Sequence, residues 1–138
     1  MTPRFIRSPG SMVDPNIRVL LCDDVQAFRA LIRYSLEDEE GIEVVGEAAD
    51  GNEGVRQAAD LQPDVVLLDL SMPECDGLEA IPIMRERSPR SQIVALSGFT
   101  SDRMKEPVIA RGARAYLEKG VDLSEIAATI RTVHAAAA

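Results

Sequence analysis

The sequence has little of what several protein classes require. Its two cysteines, Cys22 and Cys75, lie far apart without a CxxC pattern, so neither a zinc site nor a disulfide framework is expected, as suits a reducing cytoplasm. No apolar run approaches the ~20 residues that cross a bilayer, and no apolar segment follows the N-terminal arginines as a secretory signal requires. The single histidine, His134, lies near the C-terminal end and is expected to be exposed to solvent.

Positive charge is also scarce. The 138 residues include 23 acidic and 15 basic ones, for a formal net charge of -8. A surface this acidic repels the phosphates of nucleic acids, so direct DNA or RNA binding by this part of the chain is not expected. The hydrophobic fraction of 46% and the charged fraction of 28% are typical of one globular domain with its own core.

Strand and helix patterns alternate five times over residues 17–134, which we interpret as the folded domain. Residues 1–16 show no periodicity and are interpreted as a flexible leader, in part a cloning remnant. Residues 135–138 are alanines, interpreted as a tail or the start of a linker. The predicted strands are Ile17–Cys22, Ile42–Ala48, Val65–Leu68, Gln92–Leu96 and Ala115–Leu117.

The helices between these strands are predicted from periodicity and capping signals. Residues expected on the buried face of the first helix are Phe28, Leu31, Ile32 and Leu36. Asp50 followed by Glu53 indicates a capping box at the start of the second helix. Pro107 would cost ~3 kcal/mol or more inside a helix. We therefore expect it in the first turn of a short fourth helix, with residues 101–106 forming a loop before it.

The strand sequences also predict the strand order. The first, third and fourth strands are nearly continuous apolar runs, as expected for strands covered on both faces. The second and fifth are interrupted by charge or glycine, which suits the edges of a sheet. We therefore expect an α/β fold of the doubly wound (βα)5, flavodoxin-like type, a three-layer sandwich with parallel strand order 2-1-3-4-5. A crevice opens where that order reverses, between strands one and three.

Chemically useful side chains follow four of the five predicted strands. Asp23 and Asp24 follow the first, Asp69 the third, Ser97 the fourth and Lys119 the fifth. Taken singly, each has an ordinary explanation as a helix cap, a turn hydroxyl or a surface lysine. Because the carboxyl ends of parallel strands share one edge of the sheet, the five residues together predict a site.

The residue types at this edge favour a divalent cation and phosphoryl chemistry. The turn after the first strand carries two carboxylates and lacks the glycines of a nucleotide-binding fingerprint. Three neighbouring carboxylates repel one another unless a cation intervenes, and an all-oxygen ligand set suits Mg²⁺. With Mg²⁺ present, Asp69 is a candidate nucleophile toward a phosphoryl group. Lys119 would neutralise one phosphoryl oxygen and the Ser97 hydroxyl would hydrogen-bond another.

The set of motifs resembles the receiver domain (CheY-like) of two-component response regulators, over residues Ile17 to about His134. The matching motifs are Asp23-Asp24, the Asp69 segment with Met72-Pro73 and Asp76-Gly77, Ser97-Gly98, and Lys119. The resemblance implies a phosphoacceptor signalling domain rather than an enzyme, with a sensor histidine kinase donating phosphate to Asp69. It further implies Mg²⁺ held by Asp24, Asp69 and the Ser71 backbone carbonyl, with Asp23 acting largely through water.

The same resemblance implies a conformational switch. Ser97 would turn toward the new phosphoryl group and Tyr116 would turn inward behind it, changing the surface of the fourth helix, fifth strand and fifth helix. Phe99 follows Ser97 by two residues and is expected to shield the acyl phosphate, with Ser71 also affecting its lifetime. Packing of Phe99 under the next helix is the alternative.

One departure from the family pattern bears on the output. Gly120 stands where the family commonly has a proline, which is similar to the LuxR/NarL-type subfamily with a helix-turn-helix output domain. DNA contact would then belong to a domain absent here, with homodimerisation on phosphorylation as a further expectation.

Two other functions remain open. One is a haloacid-dehalogenase-type phosphatase, whose general acid would occupy the position of Ser71. The other is a receiver-like interaction domain that signals without phosphate.

Overall fold

Strands and helices alternate along the chain in a computed structural model that describes residues 16–72, 77–98, 103 and 105–137. The strands are β1 (Ile17–Cys22), β2 (Ile42–Ala48), β3 (Val65–Asp69), β4 (Gln92–Ser97) and β5 (Ala115–Glu118). The helices are α1 (Gln26–Glu37), α2 (Gly51–Leu61), α3 (Gly77–Arg87), α4 (Lys105–Arg111) and α5 (Leu123–Ala137). All five strands begin at the predicted residues, and the last three end one residue later than predicted. No helix in this described part is long and apolar enough to cross a membrane.

The sheet is parallel with the order β2-β1-β3-β4-β5, which confirms the predicted doubly wound, flavodoxin-like topology. Its two faces carry separate apolar clusters, because successive side chains along a strand point to opposite faces. On β1, for example, Leu20 joins the cluster beneath α2, α3 and α4. Its neighbour Leu21 joins the cluster beneath α1 and α5. The central strand β3 is buried along its whole length, as expected for a strand covered on both faces.

The edge strand β2 pairs with β1 through an irregularity. Val19 pairs with Val44 but Leu20 pairs with Gly46, so Val45 has no partner in the register. An extra residue of this kind is a β-bulge, which bends and twists an edge strand. The shifted register carries Glu47 and Ala48 level with the last two residues of β1.

Helix α1 departs from the predicted buried face at one position. Ile32 and Leu36 are buried and Phe28 is partly buried, but Leu31 is 50% exposed. The three packed residues recur at four-residue spacing and form a narrow stripe along the helix. Leu31 lies to one side of that stripe, so the expectation that it is buried was wrong.

Two helix ends also differ from the sequence analysis. Pro107 lies in the first turn of α4 as expected, but α4 begins at Lys105, within the predicted loop of residues 101–106. The first four backbone N–H groups of a helix have no partner inside it, so a proline at the third position removes no helical bond. Helix α5 continues to Ala137, past the expected domain end at residue 134, since alanine is the strongest helix former.

Helix α3 contains a proline in its interior. Pro82 has no N–H, so the carbonyl of Leu78, four residues earlier, lacks its usual helical donor. The Arg111 Nη1 atom of α4 donates to that carbonyl at 3.1 Å. The side chain of Arg111 thus ties α4 to the turn of α3 that the proline interrupts.

Replacing Arg111 by alanine is expected to lower the free energy of unfolding by about 0.5–1 kcal/mol, the net value of one hydrogen bond. In a Pro82→Ala background the loss is expected to be close to zero, because the N–H of the new alanine supplies the missing donor. Urea unfolding of the four proteins measures both effects. Arg114→Ala, at an exposed position, is the control. Equal losses in both backgrounds would contradict this role.

Candidate functional site

The carboxyl ends of β1, β3, β4 and β5 meet at one edge of the sheet. Asp69 is the last residue of β3 and pairs with Leu96 of β4, while Ser97 pairs with Glu118 of β5. Backbone hydrogen bonds extend these pairings beyond the strands, from Leu70 N to Leu96 O at 2.9 Å and from Lys119 N to Ser97 O at 2.8 Å. The register therefore brings the predicted site residues to a common edge.

Three carboxylates form the centre of this edge. Asp23, Asp24 and Asp69 each place one carboxylate oxygen within 4.8 Å of the others. Asp23 and Asp69 are only 3% and 1% exposed, whereas Asp24 is exposed to solvent. The cluster thus combines two buried carboxylates with a third that has access to water.

Each buried carboxylate is fixed by the loop that follows its strand. Asp23 Oδ1 accepts a hydrogen bond from Val25 N at 2.7 Å, and Asp69 Oδ1 accepts one from Ser71 N at 3.0 Å. This local bond from an aspartate to the backbone two residues on is an Asx-turn. It uses one oxygen of each side chain and leaves the other oxygen facing the cluster.

Lys119 lies between the two remaining oxygens. Its Nζ is 2.9 Å from Asp23 Oδ2 and 3.2 Å from Asp69 Oδ2. Among the described residues, neither Oδ2 atom accepts a hydrogen bond of favourable angle, so the lysine balances both through its charge. One cation then faces three carboxylates. The unsatisfied buried oxygens and the all-oxygen donor set fit an additional hard divalent cation such as Mg²⁺.

The ionisation of the site follows from burial and from these contacts. Burial raises the pKa of the Asp69 carboxyl and the charge of Asp23 adds to this, while Ser71 N–H and Lys119 oppose it. For Lys119, burial alone would lower the pKa, but contacts with Asp23 and Asp69 outweigh it and raise the pKa. The lysine therefore stays an ammonium ion, and an ionised Asp69 is held at a cost in stability.

The aromatic ring of Phe28 lies next to the ammonium group of Lys119. Lys119 Nζ lies 4.8 Å from the centre of this ring, within the range of a cation–π interaction. The helical spacing of the sequence predicts Phe28 only on the packed face of α1. Its apolar spacing signals packing, and nothing in the sequence indicates which charged group faces the ring.

The structure places the other predicted site residues around this cluster. Ser97 is fully buried at the end of β4, and Tyr116 of β5 pairs with Ala95 and packs against the apolar cluster beneath α2, α3 and α4. Ser71 is exposed in the loop after Asp69. Phe99 lies outside the described residues, as do Pro73 and the three residues that follow it.

Comparison with known proteins gives a consistent result. Residues 19–131 match the model of the response regulator receiver domain family. The chain is 48% identical over 116 residues to the transcriptional regulatory protein LiaR of Bacillus subtilis, covering 83% of this chain and 54% of that protein. It is 41% identical over 118 residues to the response regulator UvrY of Escherichia coli, covering 86% of this chain and 54% of the relative. The chain thus spans about half the length of these relatives.

A solved structure has the same fold. The signal receiver domain of the putative response regulator NarL from Mycobacterium tuberculosis superposes with a TM-score of 0.83 at 27% sequence identity. The superposition covers 87% of this chain and 97% of that domain. The likeness therefore extends over almost the whole of that solved domain.

Replacing Asp69 by asparagine is expected to raise the free energy of unfolding at pH 7 without Mg²⁺, by on the order of 1 kcal/mol. The pKa of Asp69 is raised in the folded state, so its ionisation disfavours folding. This penalty is absent below the unfolded pKa and grows as the pH rises toward the folded value. The gain from asparagine should therefore fade as the pH falls toward about 4.

Chemical denaturation across this pH range, with and without Mg²⁺, measures the effect. Saturating Mg²⁺ should stabilise the original protein more than the Asp69→Asn variant, because the cation relieves the repulsion that asparagine removes. Asp60→Asn, at an exposed position of α2, is the matched control and should change stability by less than about 0.5 kcal/mol. A less stable Asp69→Asn protein at pH 7 without Mg²⁺ would be evidence against the electrostatic account.

A double-mutant cycle between Phe28→Leu and Lys119→Met is expected to give a coupling energy of about 0.5–1 kcal/mol. Leucine keeps the apolar contact of α1 but removes the ring face on which the ammonium group lies. The same cycle with Lys105→Met, an exposed lysine of α4, should give no coupling. Equal coupling in the two cycles would show that the ring does not act on Lys119.

Proposed function

Because the chain belongs to the response regulator receiver domain family, we propose that Asp69 accepts a phosphoryl group from a sensor histidine kinase in a Mg²⁺-dependent reaction. The observation that carries the proposal is the environment of one atom. Asp69 Oδ2 is buried, lies 3.2 Å from Lys119 Nζ and accepts no favourable hydrogen bond from a described residue. Asp69 Oδ2 can therefore act as a nucleophile next to the positive charge of Lys119.

The chain's own residues divide the work of phosphoryl transfer. Asp69 Oδ1 accepts the Ser71 N–H, which leaves Oδ2 as the attacking atom. Oδ2 forms a bond to phosphorus as the bond between phosphorus and the donor atom breaks, and the product is an aspartyl phosphate. Lys119 then pairs with one phosphoryl oxygen and the Ser97 hydroxyl donates to another. Such transfers depend mainly on positioning and charge stabilisation.

The carboxylate cluster would hold the cation. Asp24, Asp69 and the Ser71 carbonyl are the proposed direct ligands, and Asp23 acts through water. This division matches the burial, because Asp24 is exposed whereas Asp23 already faces Lys119 at 2.9 Å. A bound Mg²⁺ supplies positive charge to the phosphoryl oxygens as well as to the carboxylates.

Phosphorylation would act on the rest of the domain through Ser97 and Tyr116. Movement of the Ser97 hydroxyl toward the phosphoryl group vacates space at the end of β4. Tyr116, partly buried on the neighbouring strand β5, turns inward behind it. The surface formed by α4, β5 and α5 changes as a result. Two residues are proposed to set the lifetime of the phosphoryl group. One is Ser71, which is exposed, and the other is Phe99, which lies outside the described residues.

The output is proposed from the relatives. One relative of about twice the matched length is named a transcriptional regulatory protein and another a response regulator. We therefore place this chain in the cytoplasm, as the receiver part of a transcription regulator that homodimerises on phosphorylation. DNA contact would be made by a helix-turn-helix output domain and not by the acidic receiver.

Incubation with Mg²⁺ and acetyl phosphate is expected to add one phosphoryl group to the protein, as measured by intact mass. The adduct should be absent without Mg²⁺ and absent in Asp69→Ala, which lacks the nucleophile. Asp60→Ala, at an exposed acid on α2, should be phosphorylated like the original protein. No adduct, or an adduct that persists in Asp69→Ala, would instead favour a receiver-like interaction domain that works without phosphate.

A further inference from the structure

Arg29 of α1 connects the acidic turn after β1, formed by Asp23 and Asp24, to the edge strand β2. Its Nε lies 2.7 Å from Glu47 Oε1, and its Nη1 donates to the backbone carbonyl of Asp23. The side chain is only 15% exposed. From this geometry we infer that Arg29 is a positioning residue for the cation site and that Glu47 is its anchor. The inference rests on the proposed function, since it concerns the proposed Mg²⁺ ligands.

The carbonyl of Asp23 is the part of the acidic turn that most needs support. The Asp23 N–H donates to Ala48 O at 3.0 Å, and Asp23 Oδ1 accepts from Val25 N. These bonds fix the strand end and the side chain. The carbonyl oxygen is fixed by Arg29.

Fixing this carbonyl also orients Asp24. The carbonyl of Asp23 and the N and Cα atoms of Asp24 belong to one planar peptide unit. A hydrogen bond that sets the plane therefore sets the direction in which the backbone of Asp24 leaves it. Asp24 is exposed, so its side chain lacks the packing that positions Asp23, and backbone orientation becomes the main constraint on this proposed ligand.

Glu47 holds the side chain of Arg29 in place. It pairs with Leu21 in the sheet, next to Ala48, whose carbonyl accepts the Asp23 N–H. A guanidinium group presents several donors in a rigid planar fork, so Arg29 can bind Glu47 and the carbonyl together. A lysine has a single point charge and would reach one of the two partners. Glu47 also pairs with Arg33, whose other ion pair in the described part of the chain is with Glu37 of the same helix.

A positioning role and a simple charge effect predict opposite changes in Mg²⁺ affinity for Arg29→Ala. If only charge mattered, Arg29→Ala would remove a positive charge near the cation and tighten Mg²⁺ binding, while Glu47→Gln would weaken it. If Arg29 positions the turn through Glu47, both substitutions weaken binding. Both substitutions then break the same connection, so the Kd of the double variant for Mg²⁺ should be no higher than that of the single variant with the higher Kd.

Isothermal titration calorimetry of the whole unphosphorylated chain with Mg²⁺ alone tests this difference. Outer contacts of metal ligands typically affect affinity by a factor of 10 or more, so Arg29→Ala and Glu47→Gln are each expected to raise the Kd roughly tenfold. Arg29→Lys should fall between Arg29→Ala and the original protein. Circular dichroism and thermal unfolding establish that each variant is folded, and the Kd is compared only among folded variants.

Arg33→Ala is the matched control, because it removes a second arginine from Glu47 without touching the Asp23 carbonyl. Its Kd is expected to stay within about twofold of the original. Three results would each overturn the inference. The Kd for Mg²⁺ could change in opposite directions in Arg29→Ala and Glu47→Gln, it could stay unchanged in both, or Arg33→Ala could raise it as much as they do. If the original chain binds Mg²⁺ and is phosphorylated on Asp69 while these variants behave normally, the proposed function stands and this inference alone fails.

Discussion

The contact of Lys119 with two buried aspartates is the interaction on which the rest of the site depends. Asp23 and Asp69 are only 3% and 1% exposed, and for the Asp69 carboxyl both burial and the charge of Asp23 raise the pKa, so a neighbouring cation is needed to favour its ionised form. Lys119 Nζ lies within 3.2 Å of both. It reaches them because β1 and β3 are adjacent where the strand order reverses, and because β5 ends beside β4 at the same edge.

The first turns of α1 complete the arrangement of charges. Phe28 places its ring beside the ammonium group, and the next residue, Arg29, binds the carbonyl of the acidic turn. The same short segment therefore contacts both the cation and the backbone of the acid pair. The remaining imbalance, one lysine against three carboxylates, makes a divalent cation a suitable partner for this edge. A phosphoryl group is itself negative, so in the proposed function that cation and Lys119 together offset the charge of the carboxylates.

Much of the fold could be predicted because a strand that is buried on both faces has a nearly continuous apolar sequence. The apolar runs ending at Cys22, Leu68 and Leu96 identified the central strands, and the polar residues after them identified the site edge. Positions that depend on tertiary distances were different. The exposure of Leu31 depends on how narrow a stripe of α1 packs, and the contact between Phe28 and Lys119 joins residues far apart in the chain. Arg29 likewise carries no sequence signal that separates a surface arginine from one bound to a carbonyl.

A crystal structure of the protein soaked in Mn²⁺, with anomalous difference maps, tests the central claim most directly. Mn²⁺ takes the same oxygen ligands as Mg²⁺ and scatters strongly enough to be located. The account predicts one strong peak about 2.1 Å from carboxylate oxygens of Asp24 and Asp69 and from the Ser71 carbonyl, with Lys119 still beside Asp23. An empty cluster, or a peak only at the acidic residues 38–40 that follow α1, would contradict it.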